Sequence, residues 1–352
     1  MPDLSYHKEE EIRNTQKLRE LIRELPPYVR DFFRGIEPTT SSRTRIAYAY
    51  DLRVFFRYLH ENNGTFSKKE IREIRLDDLE SLTPMDIEEY LDYVKVYSSP
   101  ASARDRRSND LQAIKRKLAS LRTFYKYFYM KELIRYDPVS LVAMPKLREK
   151  SIIRLDADEV VDVLDNVESG SHLSKQQQAF HGKGKTRDMA LMTLLLGTGI
   201  RVSECVGLNL GDVDFKNDGI SIHRKGGKEV TVYFGEEVEE ALLDYLEERK
   251  GIIPESGHEN ALFLSSQRRR LNVRSVENIV KKYTASLGLG KNITPHKLRS
   301  TYGTALYRET GDIYLVADVL GHSDVNTTRK HYAALEDEQR RQARDKVHLR
   351  RD

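Results

Sequence analysis

Leu111, Ile114, Leu118, Leu121, Tyr125 and Phe128 recur at three- and four-residue spacing, and Lys115, Arg116, Lys117, Arg122 and Lys126 fill the intervals. That period commits the segment to an α-helix with an apolar stripe that other helices must cover and a basic stripe that favours water or anions. The covering residues lie upstream. Tyr48, Leu52, Phe55, Phe56 and Leu59 mark one face of a second helix, which stops at Asn62-Asn63-Gly64. Ile87, Tyr90, Leu91 and Val94 mark a third, started by Thr83 as N-cap with Pro84 in the first turn. Ahead of them, Ile12, Leu18, Leu21, Ile22 and Leu25 form a short amphipathic preface that ends at Pro26-Pro27. The expectation is an all-α bundle over residues 38–142, preceded by a helical extension over residues 1–37.

The charge distribution agrees with a basic helix better than the total does. The formal net charge is only +4, because 59 Lys and Arg nearly balance 55 Asp and Glu. Locally the picture differs: residues 51–100 hold 7 basic against 11 acidic side chains, and residues 101–150 hold 13 against 5. A solvated helix face explains such a run as readily as an anionic partner does, so the run alone identifies none.

After Asp137-Pro138 the segment AMPKLREK has the composition of a linker, placed at residues 143–153. A second domain is expected over residues 154–338 and a charged helical tail over 339–352. Asp156 and Glu159 have capping-box spacing just before Val160, Val161 and Leu164. Ser169 to Lys185 is rich in Gly, Ser and Gln and reads as a flexible surface excursion without a phosphate-loop pattern. MALMTLLLGTG reads as a buried helix. From Gly219 to Phe234 the apolar residues alternate on either side of Lys225-Gly226-Gly227-Lys228, a β-hairpin with a basic tip. Ala261 to Ser265 reads as a short strand and the remainder as helix. The second domain is therefore mainly α, with a small hairpin sheet.

The single cysteine, Cys205, excludes a disulfide within the chain and points to core packing in a reducing cytoplasm. No apolar run approaches the roughly 18 residues of a membrane span, and the opening MPDLSYHKEEEIRN lacks the apolar core of a signal peptide. A cytoplasmic chain with no membrane partner is expected.

Four segments of the second domain carry chemistry: TGIRVSE with Arg201, the hairpin tip at Lys225, TPHKLRSTYGT with His296 and Arg299, and LGHSDVNTTRKHY with His322 and Tyr332. Singly, each has a plain structural explanation, such as a salt-bridged arginine or a helix-end histidine. Together they meet the needs of phosphodiester cleavage by a tyrosine. The transition state spreads negative charge over its non-bridging oxygens, which Arg201, Arg299 and the His322 imidazole could stabilise. A phenol with a pKa of about 10 needs a group to take its proton, and a departing 5′-oxygen needs an acid. His296 and Lys225 are the candidates for these two tasks. The chemistry calls for no metal or other cofactor, and no carboxylate pair or His/Cys spacing suggests a metal site.

The order Arg, Lys, His-x-x-Arg, His, Tyr, set in TGIRVSE, KGGK, HKLR and LGHSDVNTT, resembles the catalytic set of the tyrosine recombinase (phage integrase) family. RKLASLRTFYKYFYMKELIRYDPV likewise resembles the end of that family's core-binding domain, so the resemblance covers most of the chain. It implies a SAM-like core-binding bundle followed by the recombinase catalytic domain. Arg201, Lys225, His296, Arg299, His322 and Tyr332 then form the active site, with Glu204 as supporting acid and Lys115, Arg116, Lys117, Arg122 and Lys126 on DNA. Lys225 is preferred to Lys228 because the family's lysine begins the turn. One departure is the ten-residue step from His322 to Tyr332, where many members have nine and where His331 stands here; an imidazole cannot replace a phenol as this nucleophile.

The resemblance further implies a clamp around double-stranded DNA, a 3′-phosphotyrosyl intermediate, and a homotetramer on two DNA sites with a dimer on each. ELPPYVRDFFRG and TGDIYLVADVLGHS are most similar to the single-protein Xer recombinases, which resolve chromosome dimers and bring in a septal DNA translocase as a candidate partner. An integrase or transposase of a mobile element has the same chemistry. A type IB topoisomerase uses similar chemistry without site specificity, and a non-catalytic DNA-binding protein of the same fold would need only the basic helix.

Overall fold

The computed structural model describes residues 6–99, 102–147, 152–224, 228–322 and 325. Two compact units divide the chain, Met1–Glu149 and Lys150–Asp352.

In the first unit the helices are α1 (Tyr6–Leu21), α2 (Val29–Ile36), α3 (Ser42–Asn62), α4 (Leu76–Leu79) and α5 (Pro84–Tyr93). Strands β1 (Val96–Ser99) and β2 (Ser102–Ser108) then lead into α6 (Leu111–Met130). Caps set several starts: the hydroxyls of Ser41 and Thr83 accept from the N–H of Thr44 and Asp86, and the Asp110 carboxylate accepts from Ala113. The apolar stripes meet as the spacing requires. Phe55, Phe56, Leu118, Phe124 and Phe128 are buried in one cluster, which also takes in Leu18, Leu21 and Leu25 of the preface. Phe124 stands 5.1 Å, ring centre to ring centre, from both Phe32 and Phe128, edge-on. Such pairs add about 0.5–1.5 kcal/mol each to the burial of their surface.

A buried ionic group joins α3 to α6 in this core. Asp51 of α3 is buried and accepts from Lys117 Nζ at 3.1 Å and from Arg116, both on α6. Burial lifts its carboxyl pKa above the usual range, against the pull of the two cations.

The second unit contains α7 (Ala157–Ser169), α8 (Lys175–His181), α9 (Lys185–Thr198) and α10 (Val202–Gly207). A three-stranded antiparallel sheet follows, β3 (Val213–Asp214), β4 (Gly219–His223) and β5 (Glu229–Tyr233), in that spatial order. Ile220 pairs with Val232 and Ile222 with Val230. Helices α11 (Glu236–Lys250), α12 (Val273–Ala285), α13 (Pro295–Thr310) and α14 (Ile313–Leu320) complete it. Helix α9 packs against α7, α11 and α13, which is why MALMTLLL is apolar on every side. Among the described residues no helix is long and apolar enough to cross a membrane.

Three local features differ from the sequence reading. The first unit contains a two-stranded hairpin, β1–β2, within an otherwise helical bundle. Ser169 to Lys185 contains helix α8, capped by Ser174 and Gln177, and His181 is buried with its Nε2 2.8 Å from the Val167 carbonyl oxygen. Ala261 to Ser265 makes isolated bridges, Asn209 with Ala261 and Leu264 with Arg270, in place of a strand.

Candidate active site

The site forms where α14 ends. Asp312 caps its start by accepting from the N–H groups of Tyr314 and Leu315, and Gly321 ends it with φ 60°. A residue there must adopt the left-handed region, which glycine does without strain. The turn delivers His322 into a cleft of about 740 Å³, lined also by Arg201, Arg224, Lys228, Tyr302 and Gly321. His322 is half-buried, and its backbone N–H donates to Ala317 O at 2.9 Å.

Arg201 precedes α10, where the carboxylate of Glu204, three residues on, fixes it twice. Glu204 Oε2 accepts from the Arg201 backbone N–H at 2.7 Å and Oε1 from Nη1 at 2.8 Å. Glu204 is itself only 5% exposed, so these charge-assisted bonds are sheltered from water. The other guanidinium nitrogen, Nη2, donates to Gly321 O at 3.0 Å. Arg299, on α13, is buried; its Nη1 donates to Gly199 O at 2.6 Å and its Nη2 to Leu320 O. Both arginines therefore converge on the end of α14, one residue apart along its backbone. His296 lies one turn before Arg299 on α13 and is exposed. Lys225 and Tyr332 lie outside the described residues, as do the charged tail and residues 148–151 between the units.

Arg224 escaped the sequence reading. It sits at the end of β4, its side chain reaches α14, and Nη1 and Nη2 donate to Asp318 O at 3.1 Å and Val319 O at 2.6 Å. Burial, with Arg201 nearby, lowers its pKa; since a guanidinium keeps its proton in proteins, the shift reflects an uncomfortable desolvated charge. The only signal in the sequence was a third cation beside the KGGK turn.

Of the five cations on α6, Arg116 and Lys126 are exposed, Lys115 and Arg122 half-buried and Lys117 buried. Lys117 Nζ is held by Asp51, and Arg122 donates to Val139 O and Val142 O. Cys205 is fully buried, and burial pushes its thiol pKa well up, as a packed rather than reactive cysteine requires.

The phage integrase family matches residues 153–339, the whole span that carries Arg201 to Tyr332. Tyrosine recombinase XerC of Caldanaerobacter subterraneus is 35% identical over 91% of this chain and 86% of its own length. Tyrosine recombinase XerS of Streptococcus agalactiae is 31% identical over 92% and 96%. In fold, the chain is similar to XerH bound to palindromic difH after cleavage, with TM-score 0.63, 19% identity, and 95% and 94% of the two chains covered. It is also similar to the Tn1549 transposon integrase in complex with circular intermediate DNA, with TM-score 0.61, 21% identity, and 86% and 93% covered. The chain belongs to the phage integrase family, as an Xer-type tyrosine recombinase, an enzyme of DNA strand exchange.

Proposed function

We propose that this chain is a site-specific recombinase of double-stranded DNA with Tyr332 as its nucleophile, and that it resolves chromosome dimers in the cytoplasm. The Tyr332 oxygen attacks the scissile phosphorus, a 3′-phosphotyrosyl bond forms, and the 5′-oxygen leaves with a proton from Lys225. The 5′-hydroxyl of the partner strand then attacks the phosphotyrosine and frees Tyr332. Arg201, Arg299 and His322 donate to the non-bridging oxygens as charge builds, and His296 takes the phenol proton. Glu204 orients Arg201. Exposed cations of α6, Arg116 and Lys126 foremost, bind the DNA backbone, with Lys115 and Arg122 beside them and Lys117 held inside by Asp51. Four copies act on two sites, a dimer on each, with a septal DNA translocase as accessory partner.

The observation that carries this reading is the convergence of Arg201, Arg299 and His322 on one helix end. Similarity to XerC and XerS over 91% and 92% of the chain supports the role.

The test begins with selection of the bound duplex from a random pool. Two direct copies on a plasmid should then recombine, and a nicked copy should trap a covalent complex. Tyr332→Phe should lose that complex while its affinity for the duplex stays within about threefold, because only the attacking oxygen is gone. A covalent complex persisting in this variant would place the nucleophile elsewhere. Selected sites confined to the ends of a mobile element would make the enzyme its integrase instead.

A further inference from the structure

An α-helix leaves its last carbonyls without intrahelical donors and gathers partial negative charge there. At the end of α14 four successive carbonyls, of Asp318, Val319, Leu320 and Gly321, accept from three guanidiniums. Arg224 takes the first two, Arg299 the third and Arg201 the fourth. Arg201 and Arg299 are accounted for by the chemistry. Arg224 is not.

Its placement is costly and therefore informative. The guanidinium is half-buried, and its Nε is buried with no hydrogen-bond partner, a desolvation penalty that a swing into water would remove. What holds it in place is visible at both ends. The Arg224 backbone N–H donates to Lys228 O at 2.8 Å, closing the base of the hairpin, and its two amino groups grip α14. Gly321 leaves the space, because a Cβ at that position would collide with the Arg224 guanidinium. Each amino group gives one N–H to an α14 carbonyl, so Arg224 ties down the same helix end that Arg299 and Arg201 grip.

We propose that Arg224 is a positioning residue for strand cleavage, fixing the end of α14 so that the Leu320 and Gly321 carbonyls hold Arg299 and Arg201, and His322, in place for the phosphate. This rests on the reading that those three groups stabilise the transition state. Arg224→Ala should leave the cleft populated by the same groups in a looser arrangement. A misplacement of about 1 Å can cost roughly 10²-fold in rate, so cleavage falls while DNA affinity does not.

The experiment measures single-turnover cleavage, duplex affinity and thermal unfolding for full-length Arg224→Ala, Arg224→Lys and Arg201→Ala. The selected duplex is used in two forms, with an ordinary scissile phosphate and with a methylphosphonate, whose non-bridging position lacks the negative charge. The expected result for Arg224→Ala is cleavage slowed about 10- to 100-fold with affinity within about threefold. That deficit should shrink several-fold on the methylphosphonate, where there is less charge to stabilise; a general loss of fold would slow both substrates alike. Arg224→Lys should stay impaired, since an ammonium lacks the planar fork that spans two carbonyls. Should Arg224→Ala not fold, Arg224→Lys decides the matter: wild-type cleavage by a folded Lys variant overturns the proposal. So does an equal Arg224→Ala deficit on both substrates, or none, with Arg201→Ala inactive. If Arg201→Ala itself cleaves normally, the underlying assignment of the active site falls.

Discussion

Glu204 shows how an arginine proposed to stabilise the transition state is held before substrate arrives. Its carboxylate accepts from the backbone and the side chain of Arg201 together, so the position and the direction of the guanidinium are set by one buried anion. A hydrogen bond to a charged group contributes about 1.5–3 kcal/mol, enough to hold one rotamer against water. Glu204→Gln keeps the shape but presents an amide N–H where an acceptor is needed. Its single-turnover cleavage is expected to fall about tenfold, with little change in affinity for the duplex. Arg201→Lys should do worse, by on the order of 10²-fold, because a single ammonium cannot serve Glu204, Gly321 O and a phosphate from one plane. If Arg201→Lys cleaves at the wild-type rate, fork geometry is irrelevant and only the charge matters.

Helix α6 carries cations in two settings, buried and surface, and the sequence could not separate them. Lys117 and Arg116 share one stretch of chain, yet Lys117 is 4% exposed and bound to Asp51, 66 residues away, while Arg116 reaches the same carboxylate from the surface. Removing one partner of a buried pair strands the other charge, so Asp51→Asn should cost about 3–5 kcal/mol in denaturant unfolding. The double variant Asp51→Leu/Lys117→Met should cost much less than the sum of the single changes, because no buried charge is left unpaired and Arg116 can turn to water. Additive losses would mean that the two groups do not depend on each other. The same distinction explains what was legible. Helices α3, α5 and α6 repeat apolar residues at helical spacing, and β4 and β5 alternate them around a glycine turn, so local pattern sufficed. Strand β2 reads SARDRRS, with no apolar alternation to announce it. Helix α8 did signal itself through Ser174 and Gln177 at capping-box spacing, but the glycines and glutamines around them suggested a loop. At the site, Arg201, Arg299 and His322, which the fold brings together, stood in recognisable motifs, whereas Arg224 donates to carbonyls 94 and 95 residues on, a relation no local pattern contains.

Taken whole, the chain divides into a unit whose aromatic core displays a cationic helix and a unit whose arginines meet at one helix end. Nothing in that division asks for stored energy from outside. Under the proposed reaction each cleaved phosphodiester survives as a phosphotyrosyl ester, so the bond energy needed for rejoining stays with the enzyme and no nucleotide is consumed. In the same proposal the charge of the transition state is met by Arg201 and Arg299, each already oriented by carbonyl or carboxylate partners. Recombination between two selected sites on a plasmid should therefore proceed in EDTA and without ATP, at a rate within about threefold of that in magnesium once the enzyme is bound, since guanidiniums take the Lewis-acid role. The measurement is the fraction of recombinant plasmid over time, with binding followed separately to remove effects of ions on DNA affinity. Cleavage by a bound complex that stops in EDTA and resumes only with a divalent metal would show that Arg201 and Arg299 do not carry the charge of the transition state.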